Sequence, residues 1–506
     1  MAAIQVTREG VEKLLRGLKA NKAAGPDKIS PCVLKNLADV LSSPLTEIFQ
    51  TALDTGKVPN QWRTALVTPI FKKGDKHKAA NYRPVSLTAV CCKLCEHLVA
   101  KAILNHMDAN SLLSDLQHGF RRRRSCESQL TIFIDELMRS VKGENQVDAV
   151  VMDFSKAFDV VPHGSLLVKL DHYGIRGHTL RWIDSFLSKR TQRVVVDNEM
   201  SDLAPVTSGV PQGSVLGPIL FLVYINDMPE CISSPSRLFA DDTIVYRQVK
   251  CDADREALQQ DLVALEAWET KWGMSFNPSK CSVIHISRKK APLSFDYILK
   301  NQILETSDSA TYLGITITKD LSWTEQISKI TSKANRSLGF LRRNIRTNSE
   351  NVKTKAYNSI VRPTLEYAAT VWSPWQKGLQ DSLEAVQRRA ARYVKNKFSR
   401  EYSVTDMIQS LGWESLQVRR LKMRIILLFK IIHDLIDIPA DQLNSSNART
   451  RGHNMRYRQI SARQNYYRYS FLPHTIEHWN NLPPDLVKLK DLDTFKTALS
   501  DLTLDC

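Results

Sequence analysis

The sequence predicts an α+β fold, with strands concentrated before about residue 317 and helices after it. Three observations carry that expectation. Short runs rich in β-branched and aromatic residues, at 64–71, 147–152, 193–197, 282–286 and 311–317, have strand length and are bounded by turn residues. Residues 253–272 instead repeat apolar residues at helical spacing, with Leu258, Leu262, Leu265, Trp268 and Trp272 on one packing face. From about residue 324 onward the pattern is helical, with long stretches at 352–372, 379–398 and 414–437.

The bulk properties narrow the class of protein. A chain of 506 residues, 43% hydrophobic and 24% charged, is globular, buries a large core and is long enough for about three domains. Its formal net charge of +17 favours a polyanionic partner, either nucleic acid or an anionic membrane surface. The basic residues are not confined to one amphipathic segment, which disfavours the membrane surface. The most apolar stretch, 215–225, is broken by Gly217-Pro218 and falls short of the roughly 20 residues a span needs. The first eight residues lack the apolar core of a secretory leader, and nine cysteines, an odd count, suit a reducing compartment. The expected location is therefore intracellular, in nucleus or cytoplasm. Cys91, Cys92 and Cys95 have no second pair at zinc-finger spacing and read as small apolar residues of a buried helix.

Taken in order, residues 7–55 read as helices, the first capped by Thr7, and Gly25-Pro26-Asp27 breaks into a basic loop. The strand 64–71 leads into Lys72 and Lys73, then an extended piece carrying Arg83. That set suits a triphosphate, because arginine offers phosphate a forked donor set, but it also suits a solvated charged hairpin. Residues 89–141 read as helix, loop, helix. The loop's Arg121-Arg122-Arg123-Arg124 fits a nuclear import patch, a nucleic-acid contact or a solvated loop. The buried-strand pattern 147–152 ends at Asp153. A lone carboxylate there is costly to bury unless a cation or the start of the next helix takes it. A helical region follows at 166–187, then the loop Ser208–Pro218, whose three glycines and two prolines surround Gln212 and let backbone approach a flat ligand.

Phe239-Ala240-Asp241-Asp242 sits between two short strand-like runs, so the two acids fall at a hairpin tip. Adjacent like charges repel unless a hard divalent cation lies between them and a third acid; an ordinary acidic turn is the alternative. Lys280 precedes the strand 282–286, and Leu313-Gly314 lies within the strand 311–317. Helix 379–398 carries Arg388, Arg389, Arg392 and Lys395 on one side, a face that suits either a phosphate backbone or solvent. Residues 444–458 read as an exposed basic linker, and a small helical end follows. The expected organisation is a helical extension (1–52), a main domain (53–317), a helical region (318–440) and a C-terminal linker with a small helical end (441–506).

Read together, Phe239-Ala240-Asp241-Asp242 and Asp153-Phe154-Ser155-Lys156-Ala157-Phe158-Asp159 resemble the reverse transcriptases of non-LTR, jockey-like retrotransposons. Gly25-Pro26-Asp27, Asn81-Tyr82-Arg83-Pro84, Gln117-His118-Gly119-Phe120, Gly209-Val210-Pro211-Gln212-Gly213, Phe276-Asn277-Pro278-Ser279-Lys280 and Tyr312-Leu313-Gly314 follow the same family order. The resemblance implies a right hand of fingers, palm and helical thumb that copies an RNA template into DNA. Asp153, Asp241 and Asp242 would hold two Mg²⁺ ions, with Mn²⁺ as a substitute. Phe158 would exclude a ribose 2′-hydroxyl. Arg83, with Lys72 or Lys73, would hold the dNTP triphosphate. Gln212 and Gly213 would line the nucleotide pocket, Lys280 would give a proton to pyrophosphate, and Leu313-Gly314 would belong to the primer grip. The implied partners are RNA template, DNA primer or target, and dNTPs. Relatives usually carry an N-terminal endonuclease, and nothing before residue 20 has the length for one. The expectation is a polymerase without an endonuclease, either a truncated copy or one that relies on nicks made elsewhere. The alternative is a catalytically silent nucleic-acid-binding remnant.

Overall fold

The computed structural model describes residues 1–142, 145–289, 291–446, 453 and 455–504. The chain forms two compact units that interleave along the sequence. One comprises Met1–Phe120, Asp153–Ser233 and Gln260–Asn277; the other comprises Arg121–Met152, Ser234–Gln259 and Pro278–Cys506.

The first unit opens with helices Arg8–Arg16, Pro31–Asn36 and Ala38–Thr55. Thr7 caps the first as its sequence predicts, its hydroxyl oxygen accepting from the Gly10 amide at 3.2 Å. The strand Thr64–Phe71 then pairs antiparallel with Tyr82–Leu87 and parallel with Arg190–Val196, in a five-stranded sheet. The helical region expected at 166–187 is two helices, His163–His172 and Gly177–Leu187, because the chain turns through left-handed Gly174 and Gly177. Cys91, Cys92 and Cys95 are buried in helix Val90–Ala109. The apolar run ends in helix Gly217–Ile225, buried over nearly all its length, and among the described residues no helix is long and apolar enough to cross a membrane.

The second unit is built on the strand Gln146–Met152. It lies in the middle of a sheet, antiparallel to Ser282–Ile286 on one side and to Asp242–Val249 on the other. Both edges are paired and almost every residue is buried, which is why its sequence is a near-continuous apolar run. Helix Cys126–Lys142 covers it with Leu130, Phe133, Ile134 and Leu137. Phe133 meets the rings of Tyr246 and Tyr312 edge-on at 4.9 and 5.7 Å, so truncating it to alanine should cost about 3–5 kcal/mol. The one acid inside the strand, Asp148, is fully buried but satisfied: Gln146 and the Tyr297 hydroxyl each donate at 2.7 Å, and His285 Nδ1 lies 2.8 Å away.

Three expectations change in this unit. The stretch 311–317 is a hairpin, Ser309–Tyr312 with Ile315–Thr318. Leu313 and Gly314 both have positive φ, the geometry that turns two strands in two residues. The stretch 352–372 is broken rather than continuous. Glu350–Ala356 passes through a π-helical turn, Tyr357–Val361, into Arg362–Glu366, and Ala368 at φ +49° redirects the chain into Ala369–Trp372. Pro363, which has no N–H to donate, marks the break. Helix 379–398 is Lys377–Lys395, stopped by Asn396 in the left-handed region. The arginine run is also partly spoken for, since Arg123 and Arg124 pair with Asp437 at 3.2 and 3.0 Å and Arg123 also pairs with Asp434. These pairs fix the loop after helix Leu416–Ile432, which packs through Phe429 on Phe495 and Trp479. Of the expected linker, residues 447–452 and 454 lie outside the described residues.

Candidate active site

Strands Ser236–Phe239 and Asp242–Val249 pair antiparallel with Phe239 opposite Asp242, so Ala240 and Asp241 form a two-residue turn. Ala240 takes φ +54°, a conformation that costs a residue with a Cβ about 1–2 kcal/mol. Its methyl group is buried, whereas Asp241 is half-buried and Asp242 exposed. The hairpin is braced behind its tip, where Glu136 accepts from both Arg237 and the Tyr246 hydroxyl. Burial pushes the Tyr246 phenol up, and so does the Glu136 carboxylate.

Thr243 pairs with Met152, the last residue of the central strand, and Asp153 is the next residue along the chain. Its carbonyl accepts from the Asn277 amide at 2.8 Å, and Phe154 stacks on Phe276 at 4.4 Å. Asp153 does not cap the next helix. That helix is a single turn, Ala157–Val160, with Lys156 in the cap position at φ +50°. The capping alternative is thereby removed. Among the described residues no three His, Cys, Asp or Glu side chains converge as a ready metal cluster. The donors that suit a hard divalent cation are carboxylate oxygens, and the tip carries two carboxylates on adjacent residues.

In the first unit the glycine loop is threaded through its neighbours. Ser86 donates its amide to the Gln212 carbonyl at 2.7 Å, Val210 to the Phe158 carbonyl at 2.7 Å, and Gly209 to the Val161 carbonyl at 2.8 Å. The Gln212 side-chain amide donates to Asp159 at 2.9 Å. A Cβ at Gly209 would lie 2.6 Å from the Asp159 carbonyl oxygen, and one at Gly213 the same distance from that of Ser86. These glycines therefore let the loop approach the chain's own backbone. Phe158 stacks on Phe221 at 4.4 Å, which fixes its ring. Pro84, Ser86, Asp159, Arg190 and Gln212 line a cavity of about 310 Å³. The structure thus brings Phe158, Gln212, Gly213 and the strand bearing Arg83 together.

Lys72, Lys73, Arg83 and Lys280 are exposed, and Arg83 does not line the cavity. Leu313 is held at its hairpin tip by the Tyr367 hydroxyl, which donates to its carbonyl at 3.0 Å. On helix Lys377–Lys395, Arg388 and Arg389 are exposed, Arg389 donating to Asn335 at 3.0 Å. Arg392 is half-buried, and Lys395 pairs with Glu350 at 2.7 Å.

Sequence reasoning missed Glu96. It is fully buried, and its Oε2 accepts from the amides of Val215 (2.7 Å) and Leu216 (3.0 Å), anchoring the glycine loop where helix Gly217–Ile225 begins. The one available signal was an acid within an apolar helical run, between Cys95 and Leu98.

The family described as reverse transcriptase (RNA-dependent DNA polymerase) matches residues 70–317, so this stretch of the chain is a reverse transcriptase domain. Within that class the chain is a relative of the jockey-like, non-LTR mobile elements. It is 29% identical over 404 residues to the RNA-directed DNA polymerase from mobile element jockey of Drosophila melanogaster, across 77% of this chain and 44% of that protein. It is 28% identical over 407 residues to the probable RNA-directed DNA polymerase from transposon BS of the same species, across 76% and 44%. The jockey polymerase of Drosophila funebris is 27% identical over 410 residues, across 78% and 44%. The chain spans less than half the length of these curated relatives.

Proposed function

We propose that the chain is an RNA-directed DNA polymerase, which extends a DNA 3′-hydroxyl with dNTPs on an RNA template. The observation that carries the reading is the placement of the acids. Asp241 and Asp242 sit at the tip of a braced hairpin, and the strand paired with that hairpin runs straight into Asp153. In the right-hand arrangement these strands belong to the palm, the sheet of Thr64–Phe71 to the fingers and the helices after residue 324 to the thumb.

Asp153, Asp241 and Asp242 would hold two Mg²⁺ ions, or Mn²⁺ in their place. When bound, the ions lower the pKa of the primer hydroxyl and neutralise the leaving pyrophosphate. The protein's own part is mainly positioning and charge. The Phe158 ring, fixed by its stack on Phe221, would exclude a 2′-hydroxyl and so select deoxynucleotides. Arg83, Lys72 and Lys73 grip the triphosphate from the exposed hairpin, Arg83 with its forked donors. Gln212, whose amide is fixed by Asp159, and Gly213 form the nucleotide pocket. Lys280 donates the proton that the leaving pyrophosphate takes up. Leu313-Gly314, steadied by Tyr367, grips the primer, and the exposed Arg388 and Arg389 lead the basic face that meets the phosphate backbone.

Primer extension tests the reading. Purified protein with poly(rA), oligo(dT), dTTP and Mg²⁺ should extend the primer, and Asp241→Ala should lower the rate about a thousandfold, on the scale of a lost transition-state charge contact. Absence of extension by the parent, with salt-dependent binding of the primer–template retained, would sink the polymerase and leave the silent binding remnant.

A further inference from the structure

The second unit holds a cavity of about 410 Å³ that no step of the proposed polymerisation uses. Trp323, Trp375, Tyr466 and Tyr469 line it, with Arg288 and Gln376, and no acidic side chain is among its lining residues. Trp375 and Tyr469 stack with ring centroids 5.5 Å apart and planes 12° from parallel, so the wall contains a paired aromatic stack. The Arg288 guanidinium lies 4.2 Å from the centre of the Tyr466 ring. Trp375 is 40% exposed, unusual for so large an apolar side chain at a cavity wall.

Two polar features narrow the occupant. Gln376 Oε1 is buried with no hydrogen-bond partner among the described residues, so it requires a donor that the chain does not supply. Behind Tyr469 lies the buried Arg424, which donates to the Tyr469 carbonyl at 3.1 Å and to that of Thr370 at 3.0 Å, so positive charge underlies this wall. A lipid or aliphatic side chain would satisfy the aromatic wall but leave Gln376 unpaired and Arg288, which is exposed and donates to the Asp320 carbonyl at 2.8 Å, without an anion. An acidic group alone would satisfy the arginines but not four aromatic faces. A nucleotide meets all three demands. Its base stacks on the rings, an amino or imino N–H of the base donates to Gln376, and its phosphate faces Arg288. The volume is within the roughly 300–1,000 Å³ of small-ligand pockets.

We propose that this cavity binds one unpaired nucleotide of a single-stranded nucleic acid, at a site separate from the tip aspartates. RNA and DNA share the chemistry, and the test separates them.

Binding of the full chain to a mixed-sequence single-stranded RNA carrying 5-bromouridine, and to the matching DNA, is measured in EDTA so that no polymerisation contributes. Trp375→Ala should weaken binding about tenfold, the worth of one stacked base, while Trp375→Phe should keep most of it. Gln376→Leu should weaken it several-fold. Irradiation should crosslink the parent within Trp375 or residues 464–470. A loss with RNA alone assigns the RNA strand, and equal losses assign any unpaired strand. Parent-like binding by both Trp375→Ala and Gln376→Leu overturns the proposal. If Trp375→Ala melts lower than the parent, the crosslink map of the parent decides, and crosslinks only outside these residues overturn it. Because the assay needs neither metal nor dNTP, its failure is distinct from a failure of primer extension.

Discussion

The glycine loop and the Asp-Asp tip solve opposite problems with the same backbone conformation. In the loop, Gly209 and Gly213 take positive φ and press against the carbonyls of Asp159 and Ser86, where no Cβ fits. At the tip, Ala240 takes φ +54° with a Cβ in place and its methyl buried. Lys156 and Leu313, beside other motif residues, are left-handed and not glycine as well. The loop uses glycine because the contact forbids anything larger. The tip accepts strain, which keeps stiff the turn that aims two carboxylates.

This contrast can be broken at four points. On the proposed reading Asp153→Asn removes a metal-binding carboxylate while keeping the size of the side chain, so extension should fall about a thousandfold while the melting temperature holds within error. A matching fall in melting temperature would make Asp153 structural and erase the distinction. Gly209→Ala should do the reverse, losing about 3 kcal/mol in urea denaturation through the clash and the positive φ together. Phe158→Val tests a side chain beside the loop that is proposed to meet substrate. Its discrimination against ribonucleotides, measured as the ratio of incorporation efficiencies, should drop roughly 10- to 100-fold, the range of a lost steric contact. Ala240→Gly should shift stability by less than about 1 kcal/mol, relief of strain being offset by a freer unfolded chain. Extension should nonetheless fall several-fold as the tip loosens. Full activity in that variant would show that stiffness at Ala240 is irrelevant.

The sequence displayed what is local. The Thr7 cap, the central strand, the 253–272 helix and the hairpin tip each depend on residues close in the chain, and each appears as read. It concealed what depends on distant partners. Glu96 caps a helix far along the chain, Arg123 and Arg124 find Asp437, and Asp148 is made tolerable by Tyr297 and His285. The aromatic cavity draws Arg288, Trp323, Trp375 and Tyr466 from separate segments, none conspicuous alone. The break in 352–372 is intermediate: Pro363 signalled it, but the apolar period outweighed the proline.

The central position of Gln146–Met152 also bears on synthesis. The ribosome releases this strand before either of its neighbours, Asp242–Val249 and Ser282–Ile286, exists. At about 5–20 residues per second, it waits for several seconds with two unpaired edges and an apolar face. Helix Cys126–Lys142, made just ahead of it, is available to shield one face, but only the later chain can close the edges. A nascent chain stalled before residue 242 would present an adhesive β-strand to every other copy nearby, so prompt elongation is itself a condition for recovering folded protein.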